Sequence, residues 1–464
     1  MDGASHSPLV DELLGGAMSA TQRFMSPLHR IASGALILGW LCTPAHAQVG
    51  VLGGETGPTL MAPAVVPNDR PDAFAGPSRD YTALVAGDWL VYPTFFAGAV
   101  FDSNPNQVSS GARSSAGLRL VPSVLAETTN GISKTSLYGM ADGRVYTNQS
   151  NGNADAVAAR AGVIENYELA PDLLFIGQGD FTHQRDLFST FGIDHSVTTL
   201  NPTGIGLAPV TNPISYNQFT GSGQIQKTFD RAFFNLGASV IDINYDHSSG
   251  VTAPSPDGVD TTETARGGFW INPLVYAYLE GSIDQRNYST SSLSSDGYRT
   301  IAGLGSDQIG LFRGEIYGGY QSESYNSGNP LGTVNAPVYG GRLFYYPLPE
   351  LTLSGSVDRT IGASLLTNTP GTIGTSTQLT SALAQASYSL MQAWTASGRF
   401  GFIHTDYVNT SRSDDSWLIG GTFTYSVWQN LGVTLDYEHL QLSSNVPLQG
   451  FDRDVVTLGL TYKY

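Results

Sequence analysis

Cysteine is almost missing: of 464 residues only Cys42 carries a thiol. That excludes a disulfide framework and any cysteine-built metal or catalytic centre in the body of the chain. Charge is scarce as well, at 13% Asp, Glu, Lys and Arg, about half the ~25% of an ordinary soluble domain. Long apolar runs are also lacking. "IASGALILGWLC" at 31–42 falls short of the ~20 residues a spanning helix needs, and no later stretch approaches that length. Positive charge is in the minority, 22 bases against 39 acids, which argues against nucleic acid as a partner.

What is present fits these absences. The mean hydropathy is near neutral at −0.08, because 54 Gly and 23 Tyr, with Ser, Thr and Asn, supply uncharged polarity. Such a composition suits a sheet that meets lipid on one side and water on the other. A chain without spanning helices can cross a bilayer only as a closed set of strands. A secreted β-solenoid or sandwich is the alternative.

The N-terminus reads as an export signal. Arg23 and Arg30 precede the apolar run, and Ala45-His46-Ala47 has the small-x-small form of a signal-peptidase site. Residues 1–47 are therefore a signal peptide, with Met18 or Met25 the more ordinary start. Removing them leaves 20 bases and 36 acids. "GWLC" lacks the small residues expected before a lipidated cysteine. Residues 48–88, rich in Pro and Gly, read as a flexible periplasmic segment.

From Trp89 onward a turn grammar recurs. "YELAPDLLFIGQG", "KTFDRAFFNLGAS", "WINPLVYAYLEGS", "YYPLPELTLSGSV" and "SVWQNLGVTLDY" each lead an aromatic or apolar pair into a tight turn and out along an alternating strand. Longer polar connections lie between copies. Short turns at one end and long loops at the other are the asymmetry of an outer-membrane barrel. The spacing gives one antiparallel transmembrane β-barrel over 89–464, with about 18 strands (16–20 allowing one hairpin slip). Within 274–288, Val275, Ala277, Leu279, Gly281 and Ile283 alternate with Tyr276, Tyr278, Glu280, Ser282, Asp284 and Arg286. Lipid takes the apolar set and the lumen the charged one, since a charge at mid-bilayer costs several kcal/mol. Tyr167, Phe229, Trp270, Tyr345, Tyr346 and Trp428 read as an interfacial girdle. The end, "DVVTLGLTYKY", is read as the closing strand, with Leu458, Leu460, Tyr462 and Tyr464 on its outer face as the signal for the barrel-assembly machinery.

These residues resemble a known family. The first strand, "GDWLVYPTFFAGAVFDSNPN", has Gly87, Leu90, Val91, Tyr92, Pro93, Asp102 and Asn104 where the putative beta-barrel porin 2 family of outer-membrane proteins has its glycine, aliphatic pair, aromatic-proline, Asp and Asn. Ser103 is an insertion between the last two. The resemblance implies an outer-membrane barrel and, through the family, transport. Accompanying the export of surface polysaccharide is the second role it implies.

A catalytic constellation is not evident. His183, His195, His247, His404 and His439 form no metal-like cluster and read as polar residues near strand ends; no cofactor and no metal are implied. "GLGSDQIG" has glycines but no phosphate-loop lysine and is a turn. Inward parity selects Lys134, Asp142, Arg144, Arg160, Arg266, Glu280, Asp284, Arg286, Arg313, Glu315, Arg342, Arg399, Asp436 and Glu438 as pore-lining residues. They either set a transverse field that filters small polar solutes or pair to stiffen the interior. The long connection at 186–216, poor in charge, is expected to fold inward and narrow the channel, or else to form a lid. The function expected is passive diffusion of small hydrophilic solutes, not catalysis; the alternative is a polysaccharide conduit, with Tyr138, Tyr276, Tyr278 and Tyr317 as stacking positions. Outer-membrane lipid is a partner in either case. Oligomeric state is not legible.

Overall fold

The structure, a computed structural model, describes residues 83–148, 155–184, 215–245, 257–289, 294–327, 329–348, 350–364, 375–389, 393–448 and 450–464. A short strand, β1 (Leu84–Ala86), turns through Gly87 and Asp88 onto β2 (Trp89–Asp102). There follow β3 (Ser115–Thr129), β4 (Ser133–Tyr146), β5 (Ala156–Ala170), β6 (Leu173–Gln184), β7 (Tyr216–Thr228) and β8 (Ala232–Tyr245). Then come β9 (Gly258–Asn272), β10 (Val275–Tyr288), β11 (Ser295–Ile309), β12 (Phe312–Tyr325), β13 (Thr333–Leu348) and β14 (Leu351–Ser364). The last are β15 (Thr375–Ser389), β16 (Trp394–Tyr407), β17 (Ser413–Trp428), β18 (Leu431–Ser444) and β19 (Phe451–Lys463).

From β2 each strand pairs antiparallel with the next, and β19 pairs back onto β2, closing a barrel of 18 strands. The strand count and positions agree with the sequence pattern. β9 and β19 begin a few residues earlier than the pattern indicated, at Gly258 and Phe451. β1 lies inside the stretch read as irregular, so the end of that stretch is ordered by a hairpin; Gly87 takes φ +64°, which only glycine adopts freely. The signal peptide, the rest of 48–88 and nearly all of the 186–216 connection lie outside the described residues. Connections at one end have two to four residues, and those at the other five to thirty-one. The short-turn end is periplasmic by that asymmetry.

The two faces separate as the period of two requires. In β19, Leu458 is 54% exposed and Thr457 1%. β10 and β16 show the same alternation as the sequence. Two girdle residues depart from expectation. Trp270 turns inward, packing against Phe233 and Tyr276, and Tyr346 turns inward beside Phe344. Tyr345 and Tyr346 are neighbours in one strand and cannot share a face. Near Trp270, a bulge beside the Pro273–Leu274 turn shifts the register between Val275 and Tyr276.

Glycine explains how large inner side chains fit. Tyr138 pairs across strands with Gly162, Tyr278 with Gly303, Tyr276 with Gly305 and Tyr317 with Gly340. At each of these glycines the space a Cβ would occupy is filled by its partner's ring. The rings therefore lie along the wall over the missing side chains, the aromatic–glycine pairing that pins register in curved sheets.

One ladder is incomplete. β12–β13 pairing runs to Ser324↔Thr333, but β13–β14 pairing stops at Tyr339↔Arg359, two residues short of Pro337, which has no N–H to donate. The orphaned backbone of Ile361 is taken up by a side chain two strands away. Ile361 N donates to Gln321 Oε1 at 3.0 Å, and Gln321 Nε2 donates to Ile361 O at 3.3 Å.

A Cβ at Gly303 would stand 2.5 Å from Tyr278 Cζ. Gly303→Ala should lower stability by about 1–3 kcal/mol, read as an earlier midpoint in the heat-dependent gel-mobility shift of folded barrel. Adding Tyr278→Ala should recover part of the loss. An unchanged midpoint for the single variant would show that the ring does not occupy that space.

Candidate functional site

The inner wall is built by alternation alone: in every strand the residues opposite the apolar face point to the barrel axis. All fourteen charged residues selected by parity sit on this inner side, half-buried or buried. The structure joins thirteen of them into clusters. On β4, Asp142 takes Arg119 from β3 at 2.5 Å and Arg144 at 3.4 Å. Lys134 lies 3.4 Å from Glu127, and Arg160 is 2.7 Å from Asp180. Arg266 is held by Glu280 at 2.6 Å and Glu315 at 3.5 Å, and Glu315 reaches Arg342 at 3.8 Å. Arg286 lies between Asp284 at 3.2 Å and Glu323 at 3.1 Å. Arg399 donates to Asp436 at 2.9 Å and to Glu438 at 3.3 Å. Arg313 joins none of these clusters; its guanidinium lies 5.3 Å from the centre of the Phe344 ring.

Several members were not singled out from the sequence, although the same alternation marks them. Arg119 stands between Leu118 and Leu120, and Asp180 between Gly179 and Phe181. Asp260 and Arg453 lie in strand ends that the pattern placed too late. Arg299, Glu323 and Asp358 also share the inward parity of their strands, and the structure adds their partners, Glu323 with Arg286 and Asp358 with Arg299.

The inner tyrosines are built into these clusters. Tyr138 donates to Asp180 at 2.6 Å, with Arg160 5.5 Å over its ring. Tyr317 donates to Asp358, with Arg299 5.4 Å over its ring. Arg266 covers Tyr278 at 4.2 Å. Each of these rings thus reaches over a glycine of the neighbouring strand and carries an arginine beside it. Among the histidines, His404 and His439 face outward near the long-loop end, 2.7 Å from Asp415 and 2.9 Å from Asp454. At the periplasmic turns, the hydrogen bond from Lys227 (2.5 Å) holds the Asp172 carboxyl below its ordinary range.

The seam between β2 and β19 carries its own cluster. Arg453 Nη2 donates to Asp102 Oδ2 at 2.7 Å, and Tyr146 Oη donates to the same oxygen at 3.0 Å. Past the ladder, Ser103 N donates to Asp454 O at 2.9 Å, Asp454 N to Ser103 Oγ at 2.7 Å, and Asn104 Nδ2 to Asp452 O at 3.1 Å. The Asp-Ser-Asn stretch of the first strand is thus a clasp on the last.

A closed antiparallel barrel with an apolar outer band and a charged inner wall is a transmembrane protein of the outer membrane. The chain belongs to the putative beta-barrel porin 2 family, whose sequence pattern matches residues 80–464. Among curated proteins none matches. Solved structures similar to it include the outer membrane protein OpdK of Pseudomonas aeruginosa, at 10% identity and TM-score 0.41 over 81% of this chain and 98% of that one. OccAB4 of Acinetobacter baumannii is 10% identical, with TM-score 0.40 over 81% and 98%. The FrpB iron transporter of Neisseria meningitidis is 8% identical, with TM-score 0.41 over 82% of each chain. Likenesses of this size bear on neither solute nor selectivity.

Asp102 and Arg453 are both buried, so removing one strands the other. Asp102→Ala should cost about 3–5 kcal/mol and open the seam first. Denaturant unfolding in detergent micelles checks it: a loss below about 1 kcal/mol would mean that the backbone ladder alone closes the barrel.

Proposed function

We propose that this protein is a diffusion channel for small hydrophilic solutes, with the fourteen charged residues and their partners lining the path. The observation that carries this reading is the direction of the inner ion pairs. Each joins residues on the same strand or on strands at most three apart around the circumference, as for Arg266 with Glu315 and Arg299 with Asp358. None of these pairs crosses from one side of the barrel to the other. The wall neutralises its charge along itself, and its tyrosine rings lie flat. Both arrangements favour an uncrossed interior in which paired charges order water without holding a solute tightly. The polysaccharide-conduit reading is weaker, because Tyr138, Tyr278 and Tyr317 each already carry an arginine over the ring, at 5.5, 4.2 and 5.4 Å.

Arg399 bridges two carboxylates, Asp436 at 2.9 Å and Glu438 at 3.3 Å. Arg399→Ala should remove a positive charge from beside two carboxylates and make the channel more cation-selective. In planar bilayers under a KCl gradient, the reversal potential should move toward the cation limit relative to wild type. The absence of any steady wild-type conductance would defeat the channel reading itself.

The C-terminal strand supports a second part of the proposal. Leu458, Leu460 and Tyr462 all face outward on β19 with Tyr464 following, one apolar edge available to the assembly machinery before the seam closes. Deleting Tyr464 should lower the amount of folded barrel in the membrane severalfold while leaving single-channel conductance unchanged. Normal membrane levels after that deletion would remove the assignment.

A further inference from the structure

One guanidinium on the inner wall stands without a carboxylate. Every other described arginine there lies 3.8 Å or less from an Asp or Glu oxygen, Arg299 and Arg342 being the loosest. Arg313 has no such partner among the described residues. Its Nη2 is buried without a hydrogen bond, and the residue is only 8% exposed, so water does not replace the missing partner. What it meets is the Phe344 ring, with the guanidinium carbon 5.3 Å from the ring centre.

Arg313 is the second residue of β12, just past the Gly310–Leu311 turn, and so stands at the periplasmic mouth of the lumen. Across the ladder it faces Phe344, whose ring lies parallel to that of Tyr346 with centres 6.3 Å apart. The next inward residue along β12 is Glu315, and two other cations already divide it, Arg266 at 3.5 Å and Arg342 at 3.8 Å. Arginine, unlike lysine, keeps its charge when buried. A buried charge without a counter-charge is costly, and the quadrupole of one aromatic ring offsets only part of that cost. An anion from solution would supply the rest.

We infer that Arg313 anchors an oxyanion site at the periplasmic mouth, taking the carboxylate or phosphate group of a small solute. The site rests on the channel reading only for the route by which that solute arrives. A guanidinium offers two parallel N–H donors to either group, and in Arg313 the Nη2 donor is the one left over. Its burial admits a small anionic group and nothing bulkier. The other described arginines of the inner wall are neutralised along that wall, so a passing anion meets one uncommitted guanidinium, at the end where it leaves for the periplasm. The pore then holds an anion at a single place rather than along its length.

The test is isothermal titration of the full barrel in detergent micelles with inorganic phosphate and, separately, with acetate, heat-dependent gel mobility confirming that each variant is folded. Wild type should bind at least one of the two saturably. Arg313→Gln removes a buried charge and strands no described carboxylate, so it should fold and weaken binding at least about tenfold. Arg313→Lys keeps the charge but loses the two-pronged geometry and should fall between. Whichever anion binds tighter tells a phosphate solute from a carboxylate one. A folded wild type that binds neither, or a folded Arg313→Gln that binds as wild type does, would overturn the site. Binding needs no current: a barrel that binds but never conducts defeats the channel reading alone, and one that conducts without binding defeats the site alone.

Discussion

Every part of this structure answers to one constraint: inside a bilayer no water exists to satisfy a backbone N–H or C=O. The strands must therefore hydrogen-bond to one another, and the last must find the first. The nine-residue ladder from Val455↔Asp102 to Lys463↔Thr94 does this, and the clasp of Asp102, Ser103 and Asn104 extends it past the ladder's outer end. The same constraint appears where the ladder fails. Beyond Arg359, β14 has lost its pairing with β13 near Pro337, and the side-chain amide of Gln321 stands in for the absent backbone.

With the wall closed, the remaining chemistry is a matter of two faces. Outside, leucine, phenylalanine and valine meet lipid. Inside, guanidinium and carboxylate groups meet each other at 2.5–3.9 Å. Ion pairs in a buried wall require hydrogen-bonding geometry good enough to offset desolvation. Bidentate contacts such as Arg119 on Asp142 and Arg399 on Asp436 meet that requirement. Glycine makes this density possible: a tyrosine ring needs room beside the wall, and the neighbouring strand supplies it by having no side chain.

Much of this was legible beforehand. A period of two marks both faces of a strand wherever it lies, so strand positions, the inner charged set and the outer edge of the last strand could be read directly. The limits lay at the strand ends. Trp270 shares the parity of inward Arg266 through an unbroken ladder and was given to the girdle only because it stands beside a turn, and Arg453 and Asp260 were passed over because their strands were taken to begin later. Tyr138, Tyr278 and Tyr317 were placed correctly on the inner face. That their rings are covered by Arg160, Arg266 and Arg299 follows from strand register, which a linear pattern does not contain. Ser103, an insertion without evident role in the sequence, proves to hold the last strand.

The sequence by itself determined that this chain is an outer-membrane barrel of about 18 strands with a charged interior. Alternation, turn spacing and the lack of a spanning helix are local properties, and lipid leaves such a chain few other solutions. Only the tertiary structure decided which charges meet and how the ends are clasped. Those depend on register between strands that can be hundreds of residues apart, as Asp102 and Arg453 are. Register is set by closure of the whole ring, not by any one segment.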